Sequence, residues 1–181
     1  STLLRAISGI FSADSGSINL HGNSISLLSI GVGFQKQLTG YENIFLSGML
    51  LGYSKEQIEE KVKDIIEFSE LGDFVYKPVR SYSSGMYSKL AFSITAILET
   101  DIMLIDEVLS VGDIHFKEKS YNKMKELISN DERTVVIVSH NSNTIKDLCD
   151  KVIWLHEGLI KDQGDPVEIM DKYEAFMRNE G

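Results

Sequence analysis

The sequence predicts an α/β fold: a mainly parallel sheet flanked by helices. "DIMLID" (101–106) and "TVVIV" (134–138) are short, almost purely apolar runs, the pattern of strands buried on both faces. A helix-patterned stretch of about 114–129 separates them, and buried strands alternating with helices make parallel sheets. The 181 residues are 43% hydrophobic and 25% charged, enough for one domain with a sizeable core.

At the start of the chain, in "STLLRAISG", Leu3, Leu4, Ile7 and Ile10 form an amphipathic helical stripe, stopped by Gly9 and "FSADSG". Ser1 and Thr2 at its front read either as caps or as the exit of a preceding motif. "SINLHG" (17–22) alternates like a short strand ending in a turn. "GVGFQKQLTGYEN" reads as a glycine-rich loop, with helices after it over about 41–51 and 54–69, the second strongly amphipathic. "FVYKPVRSYSSGM" is a connector, and a helix runs from about Ser84 to Leu98. Beyond the apolar strands, "KVIWLHEGLIKDQG" reads as a hairpin around Glu157-Gly158. "DPVEIMDKYEAFMRN" closes the chain as an amphipathic helix, with Asp165 as cap and Pro166 at its first position.

Net charge is −9, from 18 basic and 27 acidic residues, which argues against a general nucleic-acid binder. No apolar run approaches the roughly 18 residues of a membrane span. The single cysteine, Cys149, excludes an internal disulfide and reads as an inert core thiol.

Three segments carry candidate chemistry. The apolar run Ile102 to Ile105 leads straight into Asp106 and Glu107. Ligands of open parallel sheets bind at the carboxyl ends of strands. Asp106 there suits Mg²⁺ and Glu107 suits polarising an attacking water; a solvated acidic loop fits the same residues. "TVVIVSHN" ends a second apolar strand in Ser139 and His140, where the imidazole is either structural or in contact with a phosphate or attacking water. "SYSSGM" sets Ser83, Ser84 and Gly85 before a helical pattern, as an anion site at a helix N-terminus or as a plain serine cap.

In this order the segments resemble the ATP-binding cassette ATPases over essentially the whole chain. "YSSGM" (82–86) is similar to that family's Leu-Ser-Gly-Gly-Gln signature, "LIDEVLSVGD" (104–113) to its Walker B segment and D-loop, and "SHN" (139–141) to its switch-histidine segment. "STLLRAISG" resembles the stretch directly after the lysine of a phosphate loop. "GVGFQKQLTGYENI" (31–44), "SVGDIHFKEKS" (110–120) and "GDPVEIMDKY" (164–173) further resemble the branch that exports teichoic acids, O-antigens and other polysaccharides. Ser84 stands where most relatives have glycine, and Met86 where they have glutamine.

The resemblance implies a P-loop-type ATPase domain over 1–181, N-terminally incomplete, with a helical subdomain inserted at about 41–98. Several dozen residues, including the phosphate-loop lysine, are expected before Ser1, and without them the chain is expected to be inactive. The implied cofactors are ATP and Mg²⁺. Glu107 would be the general base and His140 a contact of the terminal phosphate. Ser1, Asp106 and Gln35 would hold the metal, with Gln37 the alternative for the glutamine loop. Thr2, Ser83, Ser84, Gly85 and Asp113 would complete the nucleotide site, the signature acting across a dimer of two copies. The implied partner is a transmembrane permease on whose cytoplasmic face the subunit sits, docked through Gln35 to about Gly52. Phe34, Tyr41 and Phe45 would be its anchors or plain core residues. His21, His115 and His156 have no evident role. A DNA-repair or mechanical ATPase would need a long coiled coil before the signature, for which 41–80 is too short. A non-catalytic nucleotide-binding regulator is opposed by Glu107 and His140. An ATPase of another transporter is the remaining alternative.

Overall fold

A parallel pair of strands forms the floor of the sheet, held in register by a polar clasp. The computed structural model describes residues 2–28, 33–106, 113–130 and 132–180. Strand β1 (Ile25–Leu28) runs parallel to β2 (Ile102–Asp106), with Ile25 opposite Ile102 and Leu28 opposite Ile105. The backbone N–H and the hydroxyl of Ser24 both donate to the Asp101 carboxylate, at 2.7 and 2.6 Å. The Ser26 and Thr100 hydroxyls share a buried bond of 2.7 Å. These bonds lie at the strand entries and exclude a slip by one residue, which would turn every side chain to the other face. Met103, Leu104 and Ile105 are buried, as the apolar run predicts. Strand β3 (Thr134–Val138) is third in the sheet order, and its Thr134 N–H donates to the Asp101 carbonyl.

The expected strand "SINLHG" is not one. Residues 17–20 have no ladder, Ile18 is exposed, and His21 and Gly22 form a turn at positive φ. Alternation alone did not supply a buried face there. The strand lies just beyond, in "ISLL", where Asp101 captures Ser24. The opening helix α1 (Thr2–Ile7) forms as expected, but only its Leu4 is fully buried; Leu3 and Ile10 are exposed.

Between Gly40 and Leu98 the chain is almost wholly helical. Helices α2 (Gly40–Leu50), α3 (Lys55–Ser69) and α4 (Ser84–Ile97) follow in order, with two short 3₁₀ turns, Gly72–Tyr76 and Val79–Ser81, between α3 and α4. Thr39/Glu42 and Ser54/Gln57 make reciprocal capping boxes at the starts of α2 and α3, which satisfy otherwise orphaned N–H groups. Their core is Ile44, Ile58, Ile65, Leu71, Val75, Leu90, Ile94 and Leu98. Helix α5 (Ile114–Ile128) packs on α4. A cluster of Phe68, Phe92 and Phe116 joins α3, α4 and α5 at ring distances of 5.8 to 6.1 Å.

The chain forms two units, residues 1–136 and 137–181. In the second, α6 (Ser142–Leu148) was not foreseen from the sequence. The expected hairpin pairs β4 (Val152–His156) with β5 (Leu159–Gly164). Glu157 and Gly158 both sit at positive φ, 49° and 81°, as the favoured two-residue hairpin turn demands. Helix α7 (Pro166–Glu180) starts as predicted: the Asp165 carboxylate accepts from the N–H groups of Val167 and Glu168. Val152 and Trp154 pack with Ile169 and Met170 as this unit's core.

Candidate functional site

The carboxyl end of β2 brings Asp106 out of the core after three fully buried residues. Asp106 is half-buried, where a carboxylate keeps access to water and to a ligand. Glu107, the expected base, and Ser1 lie outside the described residues.

Residues of the signature-like segment cap α4. Ser83 is the N-cap, and its hydroxyl accepts from the Met86 N–H at 3.2 Å. Met86, at the third helical position, has no amide or carboxylate to answer the cap. Ser83 and Ser84 are exposed. A methyl added to Gly85 would meet only the Ser83 hydroxyl, at 3.9 Å. Glycine inside a helix costs about 0.5–1 kcal/mol relative to alanine, so the packing of this chain gives no reason for it here. What the open position supplies is access to backbone N–H groups at the positive end of a helix dipole, the elements of a phosphate cradle.

One turn behind Gly85, Lys89 pairs with Asp113 at 2.9 Å and with Glu70 at 3.1 Å. Asp113 is the N-cap of α5, accepting from the Phe116 N–H at 3.0 Å. The Lys89 ammonium, then the Phe116 N–H, holds its carboxyl down at about 2. Asp113 thus has partners within its own chain at the end of the D-loop-like segment. Lys119 also reaches Glu70, at 3.0 Å, and His115 approaches it at 3.6 Å.

Gln35 and Gln37 are both exposed, so exposure does not choose between them. The backbone of Gln35 is pinned from below by Asn43, fully buried on α2. The Asn43 side chain accepts from the Gln35 N–H at 2.7 Å and donates to the carbonyls of Gln35 and Thr39 at 3.0 and 2.8 Å. The loop is also sewn to the connector before the signature: Val79 N–H donates to Leu38 and Arg80 N–H to Lys36. Sequence reasoning missed Asn43; its signal was a lone amide inside the apolar "YENIFL". Phe34, Tyr41 and Phe45 pack against the helical core while remaining half-exposed.

Thr2 is exposed at the start of α1. In the second unit, His140 is exposed one residue after Ser139. Its neighbour Asn141 caps α6 by accepting from Asn143 and Thr144. No group of three or more His, Cys, Asp or Glu with metal-binding spacing occurs among the described residues. A cavity of about 170 Å³ lies between α1, β1, α2 and α4, lined by Ile25, Phe34, Ser47 and Leu50 among others, smaller than the ~300–1,000 Å³ usual for ligand pockets.

A family model described as ABC transporter matches residues 1–110. The chain belongs to the ABC transporter family. Among its relatives, the teichoic acids export ATP-binding protein TagH of Bacillus anthracis is 42% identical over 178 residues, 98% of this chain and 32% of that protein. The O-antigen export system ATP-binding protein RfbB of Klebsiella pneumoniae is 40% identical over 177 residues, 98% of this chain and 72% of that protein. The chain spans 38% of the TagH of Lactococcus lactis, so it matches only about a third of the longer curated relatives. The ABC-family fold recurs in solved structures. The ATP-binding subunit of an ABC transporter superposes with TM-score 0.79 at 20% identity, covering 96% of this chain and 76% of that one. The post-hydrolysis dimer of the cassette MJ0796, bound to ADP and phosphate, gives 0.71 at 19% identity, covering 91% and 79%. Among the described residues, no helix is long and apolar enough to cross a membrane.

Proposed function

We propose that this chain is the ATP-hydrolysing part of an exporter of teichoic acid or a related lipid-linked cell-envelope polysaccharide. The observation that carries the nucleotide reading is Gly85: an unpacked glycine in the exposed first turn of a 14-residue helix, between two serines of a signature-like segment and the body of α4. The export names of relatives 40–42% identical over nearly the whole chain support the polymer class.

In this reading Ser83, Ser84 and Gly85 bind the terminal phosphates of a nucleotide held by a second copy of the chain. Asp106, with Ser1 and Gln35, holds Mg²⁺, which when bound neutralises the phosphate oxygens; Thr2 touches the nucleotide at the start of α1. Glu107 takes the proton of a water as its oxygen attacks the terminal phosphorus. The bond to the bridging oxygen breaks, and ADP leaves with the electron pair. His140 contacts the terminal phosphate. ATP favours the closed pair of copies over the open one, and hydrolysis reverses the preference. The helical stretch at about 41–98, with the loop from Gln35, receives a transmembrane permease. The chain then works at the cytoplasmic face of the membrane through that partner, with no nucleic acid involved.

The test uses the full-length protein. Glu107→Gln should lower turnover by about 10²–10⁴-fold, the range for loss of a general base, while Mg-ATP binding is kept. Turnover near the wild-type rate removes Glu107 from the role. Depletion in cells should strip the polymer from the envelope; a normal envelope with failed uptake of a small solute would overturn the export assignment alone.

A further inference from the structure

Three helices meet at the Lys89 ammonium. Lys89 is only 14% exposed; it sits 5.0 Å from the centre of the Phe116 ring and between the carboxylates of Glu70 and Asp113. Glu70 ends α3 in the left-handed region, at φ 58°, and also takes Lys119, whose ammonium lies 4.6 Å over Phe68. The two carboxylates of the cluster are therefore matched by two lysines, each backed by an aromatic face. A buried ammonium is costly unless its partners stay in place.

Helix association does not explain this cluster, because Phe68, Phe92 and Phe116 already join α3, α4 and α5. Apolar packing is non-directional; it leaves open how the first turn of α5 is set against α4. The Lys89–Asp113 pair acts on that point. Asp113 spends one oxygen on the Phe116 N–H and the other on Lys89. Lys89 and Gly85 are four positions apart on α4, one turn along the same face.

We infer that Lys89 is a positioning residue that clamps Asp113, the N-cap of α5, to the helix carrying Ser83–Gly85. The start of α5 and the phosphate-facing first turn of α4 are thereby mechanically coupled. The inference rests on the proposed ATPase reading.

The experiment compares wild type, Lys89→Met, Lys89→Arg, Asp113→Asn and the Lys89→Met/Asp113→Asn pair in the full-length protein. It reads steady-state ATP hydrolysis and amide hydrogen exchange over 113–120. Lys89→Met should lower kcat by about 10- to 100-fold, the scale of a small misplacement, with KM for ATP nearly unchanged. Exchange in the first turn of α5 should rise. Lys89→Arg should restore both, since it keeps the charge that the two carboxylates need. Asp113→Asn should add little to Lys89→Met, because the two changes break one link. Unchanged exchange in Lys89→Met overturns the clamp. Raised exchange with unaltered kcat overturns its coupling to catalysis, and an arginine variant as impaired as the methionine one reduces Lys89 to packing. Absence of hydrolysis by the wild type would remove the ATPase reading and the coupling with it, while the exchange comparison would still decide the clamp.

Discussion

The starts of α2 and α4 each carry a glycine in the first turn, for opposite reasons. At α2, a methyl on Gly40 would fall 2.2 Å from the Tyr82 hydroxyl and 3.0 Å from the Val75 carbonyl. The chain packs so closely there that only hydrogen fits. At α4, a methyl on Gly85 would meet only the Ser83 hydroxyl, at an unstrained 3.9 Å. The caps differ in the same sense: Thr39 and Glu42 satisfy each other at α2, whereas Ser83 has only Met86 behind it. One helix start is closed by its own fold. The other is left incomplete, which is the condition for a ligand to complete it.

The largest effect that would break this contrast is at Asn43. Asn43→Ala leaves the Gln35 N–H without its acceptor, while the Gln35 and Thr39 carbonyls keep the backbone N–H groups of Leu38 and residue 43; one unsatisfied buried group costs up to about 3 kcal/mol. Thermal or urea unfolding measures it; a loss under about 1 kcal/mol would mean that the loop does not depend on α2. Next is Gly40→Ala, expected to cost about 2 kcal/mol through overpacking against Tyr82 and Leu90. Gly85→Ala should have the opposite sign, a gain of about 0.5 kcal/mol from helix propensity, together with a fall in ATP turnover. Stability and turnover falling together would instead show that Gly85 serves the fold.

The smallest effect is on pH dependence. The backbone N–H of Thr39, then its hydroxyl, lowers the Glu42 carboxyl below its ordinary 4.5. A group depressed in the folded state stabilises above its unfolded value and loses that contribution as pH falls. The first turn of α2 should therefore lose amide protection as pH falls below about 4.5. The Ser83 cap of α4 has no titrating group, and the Asp113 carboxyl tied to that helix through Lys89 holds its proton off down to about 2. Glu42→Gln should flatten the response of α2 alone. Equal loss at both starts by NMR exchange would erase the distinction.

These differences were legible in the sequence only in part. The two apolar strands, the hairpin at Glu157-Gly158 and the caps at Ser83 and Asp165 are local: a run of buried side chains, a positive-φ pair or a hydroxyl before a periodic pattern needs no distant partner to be recognised. "SINLHG" misled because alternation describes a strand's two faces, not whether another strand lies beside it. That was decided 77 residues away, where Asp101 holds Ser24. Likewise the signature-like Ser83–Gly85, the carboxylate at the end of β2 and the family resemblance were readable in order along the chain. That Gly40 is crowded and Gly85 open was not, because both are single glycines after a hydroxyl residue and differ only in what the rest of the chain puts near them.

The sequence by itself determined most of the helices, the strands at 102–106 and 134–138 and the candidate chemistry, since periodicity, capping and residue type act over a few positions. Only the tertiary structure decided that Asn43 pins the glutamine-bearing loop and that Lys89 binds α3, α4 and α5 through Glu70 and Asp113. Hydrogen bonds and ion pairs need partners within about 3 Å, and no local pattern states which distant residues the packed helices will bring that close.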